Sequence, residues 1–285
     1  MSEAETSATG HGEGQAHALV KPIVRATAPA WRRRAFTTVA AALIGPLVFT
    51  VGWNAATWFS TARSPRPSAG EYVVATPEPP VLTARSDAYK FKRVQAGTKN
   101  DPVTWDPCRA IPYVTYGTPP PGGQHLVETA VAQISAATGM TFIDEGATTE
   151  IPNVDRANYQ PGRYGNRWAP VLVAWTDPKV VPRLAYGVVG SGGSNSEYEP
   201  GTGSQTYVTG LLFLDKPQMA NIIKSSKGES PALDVVLHEL GHVMGLTHVE
   251  GQLMAPHISS TFRGLQVGDK TGLARLGAGK CAPAL

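Results

Sequence analysis

Charge of one sign is nearly absent as a surplus. The chain of 285 residues carries a net charge of only +3, too small to argue for a nucleic-acid partner. What surplus exists is localised. From Asp101 onward there are 13 Lys+Arg against 16 Asp+Glu, so the basic excess lies in the first hundred residues. No internal repeat is present, so a solenoid is not expected. Cysteine is nearly missing too, with two residues, Cys108 and Cys281. Histidine is scarce at seven. Glycine and proline, by contrast, are frequent (30 and 24) and predict a loop-rich fold. The length suits one substantial domain or two small ones.

Long apolar runs are missing everywhere but one place. "WRRRAFTTVAAALIGPLVFTVGWNAATWFS" sets Arg32, Arg33 and Arg34 ahead of a mostly apolar run from Thr37 to Phe59. About 23 helical residues reach roughly 34 Å, enough to cross a bilayer core. Trp31, Trp53 and Trp58 sit where interfacial aromatics belong. The arginines precede the run, which keeps the N-terminus in the cytoplasm and sends the rest outside. A cleaved signal peptide is the rival reading, with Ser60-Thr61-Ala62 as the cleavage site. Either way the remainder is exported, as a single-pass membrane protein or a secreted one.

Four regions follow. Residues 1–34 read as a disordered tail that includes His11 and His17. Residues 35–60 are the anchor or signal. Residues 61–95, rich in Pro, Ser and Arg, read as an extended linker. Residues 96–285 are the folded domain. Strands are expected over "IPYVTYG", "MTFIDEG", "PVLVAWTD" and "TYVTGLLFLD", with "AYGVVGSGG" as a short strand entering a Gly-rich loop. Leu126, Val127, Ala130, Val131, Ile134 and Ala137 form one face of a helix that includes a solvated His125. A second helix starts at Ser230, the N-cap, with Pro231 at its first position. A last helix lies near Asp269 to Leu276. This order predicts an α+β fold, a mixed sheet with helices on one side.

The scarce histidines are concentrated. "HELGHVMGLTH" holds His238, His242 and His248 within eleven residues. On a helix, His238 and His242 are four apart and project from one face. That spacing lets two nitrogens reach one ion at about 2.0–2.1 Å. Glu239 is rotated by one residue, beside the ion without binding it, as a general base for an activated water requires. Gly245 ends the helix and turns the chain so that His248 returns toward the same ion. Three neutral His ligands leave an open fourth position, the form of a catalytic zinc site. His257 lacks the spacing and reads as a rim residue.

This segment, followed by "QLMAP", resembles the metzincin zinc peptidases and their matrixin-like branch. "WDPCRAIPYV" and "GDKTGLARLG" further resemble exported matrixin-like proteins of actinobacteria. The resemblance spans roughly residues 100–285 and is dense over 231–256. It implies His238, His242 and His248 as ligands of one zinc ion and Glu239 as base and proton shuttle. Met254 becomes the methionine of a turn beneath the metal. The implied activity is endopeptidase cleavage of a protein or peptide laid along an exposed sheet edge. That edge is expected at Val208 to Phe213 or in "AYGVVG", with Gly190 to Gly203 bordering the cleft or forming a plain surface loop. A monomeric catalytic domain is expected. A silent surface binding module and a zinc hydrolase of a non-protein envelope amide are the alternative functions. Calcium or a second zinc cannot be read from the residues, and no cysteine-switch propeptide is recognisable. In an exported domain the two cysteines read as a disulfide. The rival is Cys108 as an inhibitory thiolate on the zinc.

Overall fold

A run that is apolar at every position reads as a strand buried on both faces. "VLVAW", followed by Thr176, is such a run. In the computed structural model, which describes residues 66–67, 80–225, 227–257 and 263–285, all six residues of β4 (Val171–Thr176) are buried. β4 lies at the middle of a mixed, largely parallel sheet. β2 (Ile111–Tyr116) pairs with it on one side, Val114 opposite Leu172. β3 (Phe142–Ala147) follows beyond β2, also parallel. On the other side comes β6 (Gln205–Asp215), with Phe213 opposite Ala174. The two-residue β1 (Thr104–Trp105) pairs with the start of β6. β5 (Gly190–Tyr198) closes the row, antiparallel to β6.

The sheet alternation sends two sets of side chains in opposite directions. Ile111, Tyr113, Val171, Val173, Trp175, Leu212 and Leu214 join the main core. Three helices cover that face: α1 (Gly123–Thr138), α4 (Ser230–Met244) and α5 (Val267–Gly277). α1 contributes Leu126, Val127, Ala130, Ile134 and Ala137, the stripe its spacing predicts. On the opposite face Val114, Leu172, Ala174 and Phe213 form a smaller core with Val181 and Leu184 from the loop after β4. The short α2 (Pro161–Tyr164) and α3 (Lys216–Ile223) complete the elements.

Several expectations are corrected. The stretch Val208–Phe213 is no edge, because β6 is flanked by β4 and β5. The edge on this side of the sheet is β5, where a Gly-rich loop was expected. "AYGVVG" is loop except for Gly190, the first residue of β5. The cap of α4 is Glu229, and Ser230 is its first helical residue. α3 starts at an N-cap, Asp215, whose carboxylate accepts from Gln218 N–H at 3.0 Å. Chain inside the expected 61–95 linker is packed: Tyr89 and Phe91 lie against the main core, and Arg275 of α5 stacks over both rings. The expected anchor over 35–60 lies outside the described residues. Among the described residues no helix is long and apolar enough to cross a membrane. Cys108 and Cys281 are joined in a disulfide, Cα atoms 5.4 Å apart. It ties the loop before β2 to the tail after α5 and leaves no thiolate for inhibition.

Candidate metal centre

α4 carries a buried apolar face into the main core and turns one stripe toward β5. Glu239 and Val243 meet that strand, whereas His238 and His242, four apart, share the neighbouring stripe, which faces Leu253 and Met254. The helix stops at Gly245, whose φ of 118° is left-handed. A side chain is barred there twice, by the backbone angle and by Tyr207, whose Cε2 lies 2.9 Å from the position of an added Cβ. Leu246 N–H reaches back to Gly241 O at 2.9 Å, and the reversal returns His248 to the helix.

The three imidazoles converge. One nitrogen from each of His238, His242 and His248 lies within 4.8 Å of the others. His242 Nε2 and His248 Nε2 are 3.0 Å apart. Two nitrogens at about 2.0–2.1 Å from a tetrahedral zinc stand roughly 3.3–3.4 Å apart, so the cluster is close to the size an ion needs. The tautomers also fit. His238 Nδ1–H donates to Leu253 O at 2.8 Å, and His242 Nδ1–H to Leu246 O at 3.0 Å. Protons held at Nδ1 leave each Nε2 lone pair free for a metal, with the carbonyls orienting the rings. Burial lowers the pKa of both rings, that of His242 to about 4, so they are neutral at physiological pH. These residues can hold a metal ion, and their chemistry suits zinc. His257 is exposed and outside the cluster, and His125 is exposed on α1 beside Thr129.

Glu239 is 7 % exposed. Burial pushes its carboxyl up to about 7, against the backbone N–H of Gly192 and the charge of Lys92. The edge strand makes this contact possible. A Cβ on Gly190 would lie 2.7 Å from Glu239 Cγ, and one on Gly192 would overlap the Glu239 backbone. Only glycine at these two places lets α4 lie so close to β5. Ser194, one pleat further, donates to Val243 O at 2.6 Å and satisfies a carbonyl of the last helical turn.

Beneath the histidines, Met254 is 1 % exposed and its sulphur occupies the place of a Gly241 side chain. Gly241 shares the stripe of His238 and His242, so Met254 supports that stripe from below. The backbone around Met254 is held by Asp269, which sequence reasoning missed as a site residue. Asp269 accepts from Leu253 N–H at 2.8 Å, Met254 N–H at 3.3 Å and Gln266 N–H at 2.9 Å. A continuous path therefore runs from α5 through Leu253 to the ring of His238. The available signal was Asp269 at the third position of a helix, where a carboxylate completes a capping box.

A second buried group, also unforeseen, fixes the loop between β3 and β4. Arg156 pairs with Glu150 at 2.6 Å and donates to Pro170 O, Thr209 Oγ1 and Gly210 O. Gln160 and Tyr164 also donate to Glu150, at 2.8 and 2.6 Å.

Neither a known family model nor a curated protein sequence matches the chain.

Proposed function

We propose that the chain is a zinc-dependent endopeptidase of the metzincin type, using His238, His242 and His248 as ligands and Glu239 as general base. The observation that carries this reading is the pairing of a three-histidine cluster with a buried carboxyl against an edge strand. Bound zinc supplies Lewis acidity at the scissile carbonyl and lowers the pKa of water toward ~7. Glu239 takes the proton of the attacking water and delivers it to the leaving amine. A carboxyl poised at about 7 can serve both halves of that transfer. The Gly192 N–H keeps it on the edge strand, where an extended peptide adds by β-augmentation. Met254 and Asp269 hold the platform beneath the rings.

The test is cleavage of a diverse peptide library by the purified, zinc-loaded chain. Cleavage should be abolished by chelation and restored by zinc. Glu239→Ala should retain about one zinc per chain and lose roughly three orders of magnitude in rate. No cleavage by the wild type, or near-normal cleavage by Glu239→Ala, overturns the reading.

We also propose that this domain works outside the cell, on the strength of Arg32–Arg34 ahead of the apolar run. Protease added to intact cells should remove a C-terminal tag and spare an N-terminal one. Protection of the C-terminal tag until lysis rejects that orientation.

A further inference from the structure

β5 alternates around the site. Gly190, Gly192 and Ser194 face α4, so Ser191, Gly193 and Asn195 face the other way. On that opposite face lies a cavity of about 160 Å³, closed by Thr209 and Phe213 of β6 and by Arg183 from the segment leading into β5. No Asp or Glu lines it.

Three cations do line it. Arg156 is neutralised by Glu150 at 2.6 Å. Lys92 and Arg183 have no acidic partner within 4.0 Å among the described residues. Lys92 starts from the α4 side of the strand: its N–H donates to Gly245 O at 2.7 Å, and Thr247 N–H donates to Lys90 O at 2.9 Å. Its side chain then passes to the far face, where Nζ stands 2.9 Å from the place of a Gly193 Cβ. Partial burial, then Arg183, then Arg93 hold its ammonium below the usual lysine range, against the opposing charge of Glu239. Like charges gathered around a polar cavity destabilise the free protein. They are relieved when an anion fills it.

We propose that this pocket takes a carboxylate of the substrate, with Lys92 and Arg183 as the cations that meet it. The proposal rests on the peptidase reading above. Gly192 joins the two places, since it donates to Glu239 and also lines the pocket. An extended peptide advances about 3.3 Å per residue, so the carboxylate belongs within one or two residues of the bond that is cut. An acidic side chain and a free C-terminus present the same chemistry.

The test uses the full zinc-loaded chain and matched fluorogenic peptides. One pair has blocked termini and differs by Glu against Gln at positions within two residues of the scissile bond. A second, neutral pair differs by a free against an amidated C-terminus. The Glu peptide should be cleaved with about tenfold higher kcat/KM than its Gln partner, the advantage shrinking at high salt. Lys92→Met combined with Arg183→Met should bring the ratio near one, while Lys92→Arg should keep it. An advantage confined to the free C-terminus assigns the pocket to the terminal carboxylate. Equal cleavage of all four peptides, or a ratio that survives both substitutions, overturns the proposal. If nothing is cleaved, the peptidase reading fails separately. Fluorescence anisotropy of the same peptides then tests the pocket: a Glu preference lost in the double variant upholds it, and no preference rejects it.

Discussion

Gly192 and Glu239 face each other at backbone distance. The glycine N–H donates to the carboxylate, and no Cβ fits between strand and helix. The two residues come from segments that share no local pattern, yet each defines the other's environment. A methyl group at position 192 must push β5 away from α4. Overpacking of this kind costs about 1–3 kcal/mol, and here it also withdraws the N–H that meets the Glu239 carboxyl. Gly192→Ala should therefore lower peptide cleavage at least about tenfold while leaving zinc content unchanged. Cleavage at the wild-type rate, with the fold confirmed by circular dichroism, means the close approach has no part in activity.

The third ligand can be tested against its nearest competitor. His248 joins the cluster through the turn at Gly245, whereas His257 is exposed and outside it. His248→Ala should release zinc to a weak chelator far more readily than His257→Ala. Loss of a hydrogen-bond partner behind a ligating imidazole alone costs about 10–100-fold in metal affinity, and loss of a ligand should exceed that. Equal zinc retention in the two purified variants would show the assignment to be wrong.

Much of this was legible in the residues because it is local. The spacing of His238 and His242, the helix stop at Gly245 and the apolar runs of β2, β4 and β6 all act over a few positions. β5 was not legible. "GSGGSNSEY" contains almost no strand-forming residue, and its conformation is imposed by pairing with β6 and by the helix that rests on it. The glycines that made it look like a loop are the ones α4 requires. β6 was recognised as a strand, but its interior place depends on β5 and so was missed with it. α3 could have been found from Asp215 followed by Lys216-Pro217, an N-cap with proline in the first turn. The Glu150–Arg156 pair had no local signature at all, because Thr209 and Gly210 reach it from more than fifty residues away.

That pair makes a pH prediction. Burial alone would raise the carboxyl of Glu150. Hydrogen bonds from Arg156, Gln160 and Tyr164, with the Arg156 charge, outweigh burial and hold its pKa below the usual value. A carboxylate depressed in the folded state stabilises the fold above its unfolded pKa and loses that contribution as pH falls through the folded value. Glu150→Gln leaves the buried guanidinium unpaired, which typically costs about 3–5 kcal/mol. Urea unfolding at pH 7 should show that loss, and the gap to wild type should narrow below pH ~4. A gap that is the same at pH 7 and pH 3 removes the ion pair as its cause.

Asp269 gives the sharpest separation of support from chemistry. The residue is 1 % exposed, and burial raises the pKa of its carboxyl, against the backbone N–H groups of Gln266, Leu253 and Met254 and the charge of Lys270. Those N–H groups have no other acceptor among the described residues, so Asp269→Ala leaves buried donors unmade at about 1–3 kcal/mol each. Lower thermal stability is expected on that ground alone and would follow from a helix cap with no other role. The distinguishing measurement is zinc affinity at a temperature where both proteins are folded. Leu253 donates to Asp269 and accepts from His238 Nδ1–H at the same peptide region. Releasing its N–H should loosen the carbonyl that orients the ring, weakening zinc by about 10–100-fold. Asp269→Asn keeps an acceptor of the same shape and should recover most of the affinity. If Asp269→Ala melts earlier but binds zinc as tightly as wild type, the residue caps α5 and does nothing for the metal centre.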